Sequence, residues 1–384
     1  MKIIAIDAFP YRLPVRRDFK WAGLRGALGN FVLVRVRTDD GIVGYGEAVP
    51  LPDWGGDSGR RAGETLRTVI TLIEDVLAPV LVGSDASAVT AARRAMDRAA
   101  VGNSYAKCAV EMALFDAWGK SVGLPVYRLL GGAVRDSVPI AHMVGLMPED
   151  DAVEEAVAAI ADGLGALQIK GGVDPERDVR LIGRLRQEIG SSVLLRLDAN
   201  QGYGAGGDAR RWVARLAEAG ADCVEQPSRS LAGMAEVTAH SAIPVIADES
   251  CWDIGDAQQV VAARAADRIS IYLAKAGGFI GALRVAAVAE AAGLACDVNG
   301  SIESAIGNAA NVHFALAAPA VSMPGVIPMS APAGRHPCRV GGHYFEDDVI
   351  PDPFPFAAGA ILPLDGPGLG IEVDEAKLAR FRVE

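Results

Sequence analysis

Five charged residues, Lys170, Asp198, Glu225, Asp248 and Lys275, follow one another at intervals of 28, 27, 23 and 27 residues. Together they have the types needed for acid–base chemistry on a carbon beside a carboxylate. Three carboxylates brought together repel and are costly to desolvate, so a hard divalent cation is the natural way to hold them, with water and substrate oxygens completing an octahedron. Magnesium suits this donor set, with manganese as the alternative. Chelating a substrate carboxylate stabilises the enediolate left when the neighbouring carbon loses its proton. A lysine whose pKa is lowered by nearby cations can take that proton, and lysines on opposite sides of the ligand reach either face. Taken singly, an acidic residue at a strand end reads as readily as a helix cap or a solvated carboxylate. The shared interval sets this group apart.

The elements that must position these residues are short apolar runs. Ala166 to Ile169 leads into Lys170, Val193 to Leu197 into Asp198, Cys223-Val224 into Glu225, and Ile243 to Ala247 into Asp248. From Ser137 onward strand and helix patterns alternate with a period of about 26 residues, as βα units with crossover helices do. Strands are predicted to begin near 137, 166, 193, 222, 243, 269, 294 and 325. Between the second and third, Asp174 can cap a helix with Pro175 at its first position. Eight strands in this rhythm, with no glycine fingerprint after the first, favour a (β/α)₈-type barrel over an open dinucleotide-binding sheet. In such a barrel the C-terminal strand ends converge on one mouth, which would gather Asp198, Glu225 and Asp248 with a lysine on each flank.

Residues 1–130 read as an α+β domain. Strands are expected at Ile3 to Ile6, Phe31 to Val36 and Ile42 to Gly46, the last two joined by the turn Thr38-Asp39-Asp40-Gly41. Helical patterns follow at 61–82, 86–100 and 104–121. Two irregular stretches, at about 18–26 and 49–57, are rich in glycine, proline and tryptophan, and the first is a candidate mobile flap. The βα region spans 131–330. The segment 331–384, rich in Pro and Gly, is expected to return to the N-terminal domain.

Of the 384 residues 51% are hydrophobic, enough for a sizeable core, and the net charge of −11 comes without a basic stripe. That excludes nucleic acid as an expected partner. The five cysteines are scattered without metal-binding or disulfide spacing, and no apolar run approaches the roughly 18 residues of a membrane span. A cytoplasmic protein acting on a small-molecule carboxylate, without membrane association, is the expectation.

Leu197-Asp198-Ala199-Asn200, Val224-Glu225-Gln226-Pro227, Ala247-Asp248-Glu249-Ser250 and Lys275-Ala276-Gly277-Gly278 together resemble the enolase superfamily, in its muconate-lactonizing-enzyme subgroup. Gly44 to Ala48, Asn103 to Lys107, Phe115 to Lys120, Leu129 to Gly132 and Glu303 to Gly307 extend the resemblance over nearly the whole chain. It implies a (β/α)₇β TIM-like barrel under an α+β N-terminal capping domain, Mg²⁺ on Asp198, Glu225 and Asp248, and acid–base roles for Lys170 and Lys275. It also implies a homo-oligomer, with Asn200 and Glu249 as supporting residues. The two cap loops would confer specificity, making Trp21 and Trp54 substrate-contact candidates.

Three departures from the family pattern narrow the function. Its usual Lys-x-Lys is Gln168-Ile169-Lys170 here, removing one cation beside Lys170. The seventh strand, Cys296-Asp297-Val298-Asn299, lacks the histidine of the mandelate racemase subgroup, so acid-sugar dehydration is disfavoured. Asn299, Ser301 and Glu303 are expected near the substrate and Asp297 within the strand. The eighth strand end, Ile327-Pro328-Met329-Ser330, lacks the Asp-x-Asp with which dipeptide epimerases of the family hold an ammonium group. His142, near the first strand end, is a further substrate-contact candidate. The leading expectation is racemisation or epimerisation of an N-substituted or cyclic amino acid. Cycloisomerisation of a muconate-like diacid and dehydration of a hydroxyproline-like acid follow, with a non-catalytic binding protein on the same fold as a remote third.

Overall fold

A computed structural model describes residues 1–24, 26–56 and 59–383. Arg25 of the predicted flap and Asp57 of the second cap loop lie outside the described residues.

The N-terminal domain opens with an antiparallel meander, β1 (Ile3–Arg12), β2 (Asn30–Thr38) and β3 (Val43–Ala48). Five helices follow: α1 (Leu66–Leu72), α2 (Ala78–Leu81), α3 (Val89–Ala99), α4 (Ser104–Val122) and α5 (Val126–Leu129). The first predicted helix, at 61–82, begins instead at Leu66, behind a Thr65–Thr68 capping box. Its middle widens into a π-helical segment, Ile73–Leu77, just before Pro79. Proline has no N–H to donate four residues back, so the ladder must be broken there. Helix α4 is buried on nearly every face and serves as the strut of the domain. Strand β3 lies directly on it. A Cβ on Gly46 would come within 1.9 Å of the Ala109 carbonyl oxygen, so only glycine permits this approach.

The barrel sheet is parallel, in the order β5 to β11. A two-residue strand, β4 (Val138–Pro139), precedes it but pairs elsewhere. The seven members are β5 (His142–Val144), β6 (Ala166–Lys170), β7 (Leu194–Asp198), β8 (Cys223–Glu225), β9 (Val245–Ala247), β10 (Arg268–Ile271) and β11 (Ala295–Val298). The helices between and after them are α6 (Glu149–Ala161), α7 (Pro175–Ile189), α8 (Gly206–Ala219), α9 (Leu231–His240), α10 (Ile254–Ala263), the single turn α11 (Leu273–Ala276), α12 (Phe279–Ala291) and α13 (Ala305–Ala317). As expected, Asp174 caps α7, accepting from Arg177 N–H, with Pro175 at its first position.

Two barrel expectations need correction. The strand predicted from 137 starts later, at His142, because Val138–Pro139 pairs antiparallel with the C-terminal segment. The strand predicted from 325 is reduced to isolated bridges, Val321 to Cys296 and Gly325 to Ile140, through which the sheet closes. Pro324 and Pro328 bracket that stretch, and each removes a ladder donor.

After α13 the chain forms β12 (Phe356–Ala357), β13 (Ala360–Ile361) and α14 (Glu375–Phe381). It then meets the cap: Arg382 bridges to Tyr11, Val383 N–H donates to the Pro10 carbonyl, and Leu369 N–H donates to Asp116 Oδ1 in α4. No helix among the described residues is long and apolar enough to cross a membrane.

Candidate active site

Strand register lines up three of the five charged residues. Lys170 pairs laterally with Asp198 in the β6/β7 ladder, and Asp198 with Glu225 in the β7/β8 ladder. Asp248 stands one residue beyond β9. Lys275 is not at a strand end but on α11, the turn after β10. All five are buried.

Lys170 Nζ donates to Asp198 Oδ2 at 2.6 Å. Lys275 Nζ donates to Asp248 Oδ1 at 2.6 Å and to the carbonyl oxygens of Asp248 and Ser270, each at 2.8 Å. Gln168, where the family pattern has lysine, donates its amide to Glu225 Oε2 at 2.8 Å and to Asp198 Oδ2 at 3.3 Å. Asn200 donates to Glu249 Oε1 at 3.2 Å.

The electrostatics follow from this crowding. Burial, and then the charge of Asp198, push the Glu225 carboxyl well above the usual range. Asp248 is raised by burial, against the pull of Lys275, and Glu249 is pushed up to about 8 by burial and by Asp248. Burial works to lower the Lys170 ammonium, but Asp198 and then Glu225 outweigh it and hold its pKa above the ordinary value. The expected lowering of the lysine therefore needs positive charge beyond that of the protein, since uncompensated carboxylates around an ammonium stabilise its charged form.

This donor set suits a hard divalent cation. Three buried carboxylates converge with too little positive charge, and Glu225 Oε1 has no hydrogen-bond partner. As placed, no three acidic, histidine or cysteine side chains among the described residues stand in ligating geometry, because Asp198 and Asp248 are turned to their lysines.

Two features of the site carried little signal in the sequence. Arg196, inside the barrel two residues before Asp198, is ion-paired with Asp297 and has its Nε 3.4 Å from Glu225 Oε2. A lone arginine amid Leu194, Leu195 and Leu197 was the available clue. Tyr272 lies beneath Lys275, its ring centroid 4.5 Å from Nζ, and its hydroxyl donates to Asp248 Oδ2 at 3.4 Å.

A narrow cavity lies over this cluster, with about 420 Å³ of empty space when its open mouth is included. Trp21 from the first cap loop and Trp54 from the second both line it, each above one lysine. The Trp21 ring is centred 5.5 Å from Lys170 Nζ and the Trp54 ring 5.9 Å from Lys275 Nζ. Trp54 also packs on Trp252 and Tyr272 at 5.0 and 5.2 Å. Asn299, Ser301, Gln168 and Asn200 reach the same cavity. Trp21, Trp54 and Asn200 also line a wider, more polar vestibule beside it, which includes Asp53, Arg229 and Glu249.

Two predicted contacts are placed differently. His142 is fully buried, with Nδ1 accepting from Gly342 N–H at 3.1 Å and Nε2 directed at Glu155 at 2.9 Å, while its neighbour Met143 lines the cavity. Alternation along β5 turns adjacent side chains to opposite faces. Glu303 folds under its own loop, where Oε1 accepts from Ser301 N–H at 2.9 Å, and burial pushes its carboxyl up to about 7. Between them Ile302, a β-branched residue at φ +64°, lines the cavity in a strained conformation.

The first cap loop is pinned to the barrel through Glu155. Arg17 donates to both its carboxylate oxygens at 2.7 and 2.6 Å, Arg16 lies 3.4 Å away, and Leu146 N–H donates to the Lys20 carbonyl at 2.7 Å. Burial works to raise the Glu155 carboxyl, but the hydrogen bonds from His142 and Arg17 outweigh it and bring it to about 2. Because the folded pKa is depressed, this stabilisation is fully present above the ordinary glutamate value, near 4.5, and is lost as pH falls towards 2. Glu155→Gln is expected to lower stability at pH 7 by about 2 kcal/mol. Urea denaturation should show it, and the variant should lose less of its remaining stability than wild type between pH 4.5 and 2.

Comparison with known proteins agrees with this geometry. The family model described as mandelate racemase / muconate lactonizing enzyme, N-terminal domain, matches residues 14–131, and that described as enolase C-terminal domain-like matches 151–377. The chain is 32% identical to muconate cycloisomerase 1 of Rhodococcus opacus over 379 residues, 97% of this chain and 96% of that protein. It is 37% identical to the L-Ala-D/L-Glu epimerase of Bacillus subtilis over 320 residues, 82% of this chain and 85% of that one. The crystal structure of N-succinyl Arg/Lys racemase from Bacillus cereus superposes with a TM-score of 0.89 at 28% identity, covering 100% of this chain and 99% of that one. These relatives are isomerases, and this chain belongs to the enolase superfamily, in its muconate-lactonizing-enzyme subgroup.

Proposed function

We propose that the protein is a Mg²⁺-dependent racemase or epimerase of N-substituted or cyclic α-amino acids, with Lys170 and Lys275 as opposed bases. The observation that carries this reading is the charge on the cavity wall. Among the described residues lining it, Lys170 and Asp248 are the charged ones, and both belong to the central cluster. Among the described residues lining this cavity there is no further cation to meet the second carboxylate of a muconate-like diacid and no further acid to hold a free ammonium group. Asp53, Arg229 and Glu249 stand farther out, in the vestibule. Leu51, Met143, Ile302 and Val326 form apolar wall instead, suited to a substrate whose nitrogen is masked and whose side chain is uncharged. A masking group can extend past the two tryptophans into the vestibule.

Asp198, Glu225 and Asp248 would hold the magnesium ion, which supplies a Lewis acid for the substrate carboxylate. One lysine, as the free amine, takes the α-proton. The other, as the ammonium, returns a proton to the opposite face of the same carbon, which inverts it. Gln168 and Arg196 hold Glu225 in place, while Trp21 and Trp54 keep bulk water from the two lysines.

Similarity to muconate cycloisomerase supports a second reading, internal lactone formation. A panel followed by ¹H NMR in D₂O with MgCl₂ separates the two. N-succinyl and N-acetyl derivatives of leucine, phenylalanine and proline are expected to exchange the α-proton and racemise. If cis,cis-muconate gives a lactone, or hydroxyproline loses water, while every N-acyl amino acid stays unexchanged, the racemase reading is wrong.

A further inference from the structure

Lys170 closes a strand hydrogen-bonded on both sides, so the sheet itself fixes its backbone. Lys275 lacks that support, since it rides on the four-residue turn α11 beyond the end of β10. The capping domain supplies what the sheet does not.

Arg93, in α3 of the cap, donates from Nη1 to the Gly277 carbonyl oxygen at 2.7 Å and from Nη2 to the Ala276 carbonyl oxygen at 3.3 Å. These are carbonyls of the kind a helix leaves without partners at its C-terminal end. Glu111, in α4 of the cap, accepts from Ile280 N–H at 2.9 Å, one of the donors left open in the first turn of α12. The two side chains are themselves paired, with Arg93 Nη1 3.4 Å from Glu111 Oε2. A guanidinium and a carboxylate from one domain thus clamp the end of one helix and the start of the next in the other domain, within five residues of Lys275.

The glycines between those helices fit this reading. Gly277 and Gly278 sit at φ +74° and +127°. A Cβ on Gly277 would come within 2.9 Å of Arg93 Nη2, and one on Gly278 within 2.3 Å of Glu111 Oε1. The backbone conformation favours glycine at both positions, and the Glu111 carboxylate leaves little room for a side chain at 278. Burying Glu111 completely is costly, and a buried ion pair contributes little stability beyond what apolar packing would give, whereas it fixes geometry.

We infer that Arg93 and Glu111 are positioning residues for Lys275: the capping domain sets the reach of one of the two lysines, while the barrel sheet alone sets the other. The inference rests on the reading of Lys170 and Lys275 as opposed bases. Neither cap residue touches the substrate, and both act through the backbone of residues 276–280.

The test uses the Mg²⁺-loaded full chain with N-succinyl-D-leucine and N-succinyl-L-leucine in D₂O, comparing wild type with Arg93→Met, Arg93→Lys and Glu111→Gln. In Arg93→Met, α-proton exchange from the enantiomer served by Lys275 is expected to fall roughly 100-fold, the scale of a small misplacement of a reacting group. Exchange from the other enantiomer should be retained and KM unchanged, with Arg93→Lys recovering part of the loss. An equal loss for both enantiomers, or none, overturns the inference. Crystal structures of the same variants give a readout independent of turnover. Lys275 Nζ should move beyond hydrogen-bonding distance, about 3.5 Å, from the Asp248 carbonyl while Lys170 stays on Asp198. An undisplaced Lys275 overturns the inference even if wild type exchanges neither enantiomer, an outcome that excludes N-succinyl-leucine as a substrate and leaves the structural readout standing. Should Arg93→Met fail to fold, Arg93→Lys and Glu111→Gln carry both measurements.

Discussion

Lys170→Ala and Lys275→Ala are each expected to lower racemisation by roughly 10²–10⁴-fold, while leaving α-proton exchange from one enantiomer in place. The two variants should spare opposite enantiomers. Each lysine lies on its own flank of the carboxylate cluster, Lys170 on Asp198 and Lys275 on Asp248, so each reaches one face of a carbon held between them. A remaining lysine can remove a proton and, after its ammonium rotates, return a deuteron to the same face. That gives exchange without inversion. The double variant should lose exchange from both enantiomers, and its loss should fall short of the product of the single losses because the lysines act as one unit. The reading sinks if both single variants keep wild-type exchange into racemised product.

Glu225→Gln is expected to abolish the stabilisation that Mg²⁺ confers on the wild-type protein. With the ion at 100 times its dissociation constant, that stabilisation is about 2.7 kcal/mol, read as a rise in the unfolding midpoint. The physical source is the crowding of carboxylates in a buried site. Burial first, and then the charge of Asp198, raise the Glu225 carboxyl, burial raises that of Asp248 against the pull of Lys275, and Glu225 Oε1 is unpartnered. The amide at 168 should tighten binding relative to a lysine there, because it donates to Glu225 and Asp198 without adding positive charge. Gln168→Lys is accordingly expected to weaken Mg²⁺ by roughly 10–100-fold in calorimetric titration. Equal Mg²⁺ affinity in wild type and Glu225→Gln would refute the assignment of this carboxylate as a ligand.

The two irregular cap stretches were legible as loops with a tryptophan each, but nothing in their composition said that Trp21 would stand over Lys170 and Trp54 over Lys275. His142 illustrates the opposite limit. A histidine near a strand end is compatible with either face, and a start a few residues later than predicted decides which one the alternation selects. The eighth strand looked like its predecessors in position, yet Pro324 and Pro328 leave it only isolated bridges. Arg196 was readable only as an oddity among leucines, because its partners, Asp297 and Glu225, are joined to it by barrel closure.

By itself, the sequence determined the family, the scaffold and the row of charged residues on which the proposed chemistry rests. Residue type and interval along the chain translate directly into strand register, which is why Lys170, Asp198 and Glu225 stand side by side. Only the tertiary structure decided what surrounds that row. It set the neutral, apolar wall of the cavity, the Glu155 anchor of the first loop and the grip of Arg93 and Glu111 on the turn that carries Lys275. Those contacts join residues from about 140 to 185 positions apart, held together by the packing of cap on barrel, and no local pattern encodes a distance of that kind.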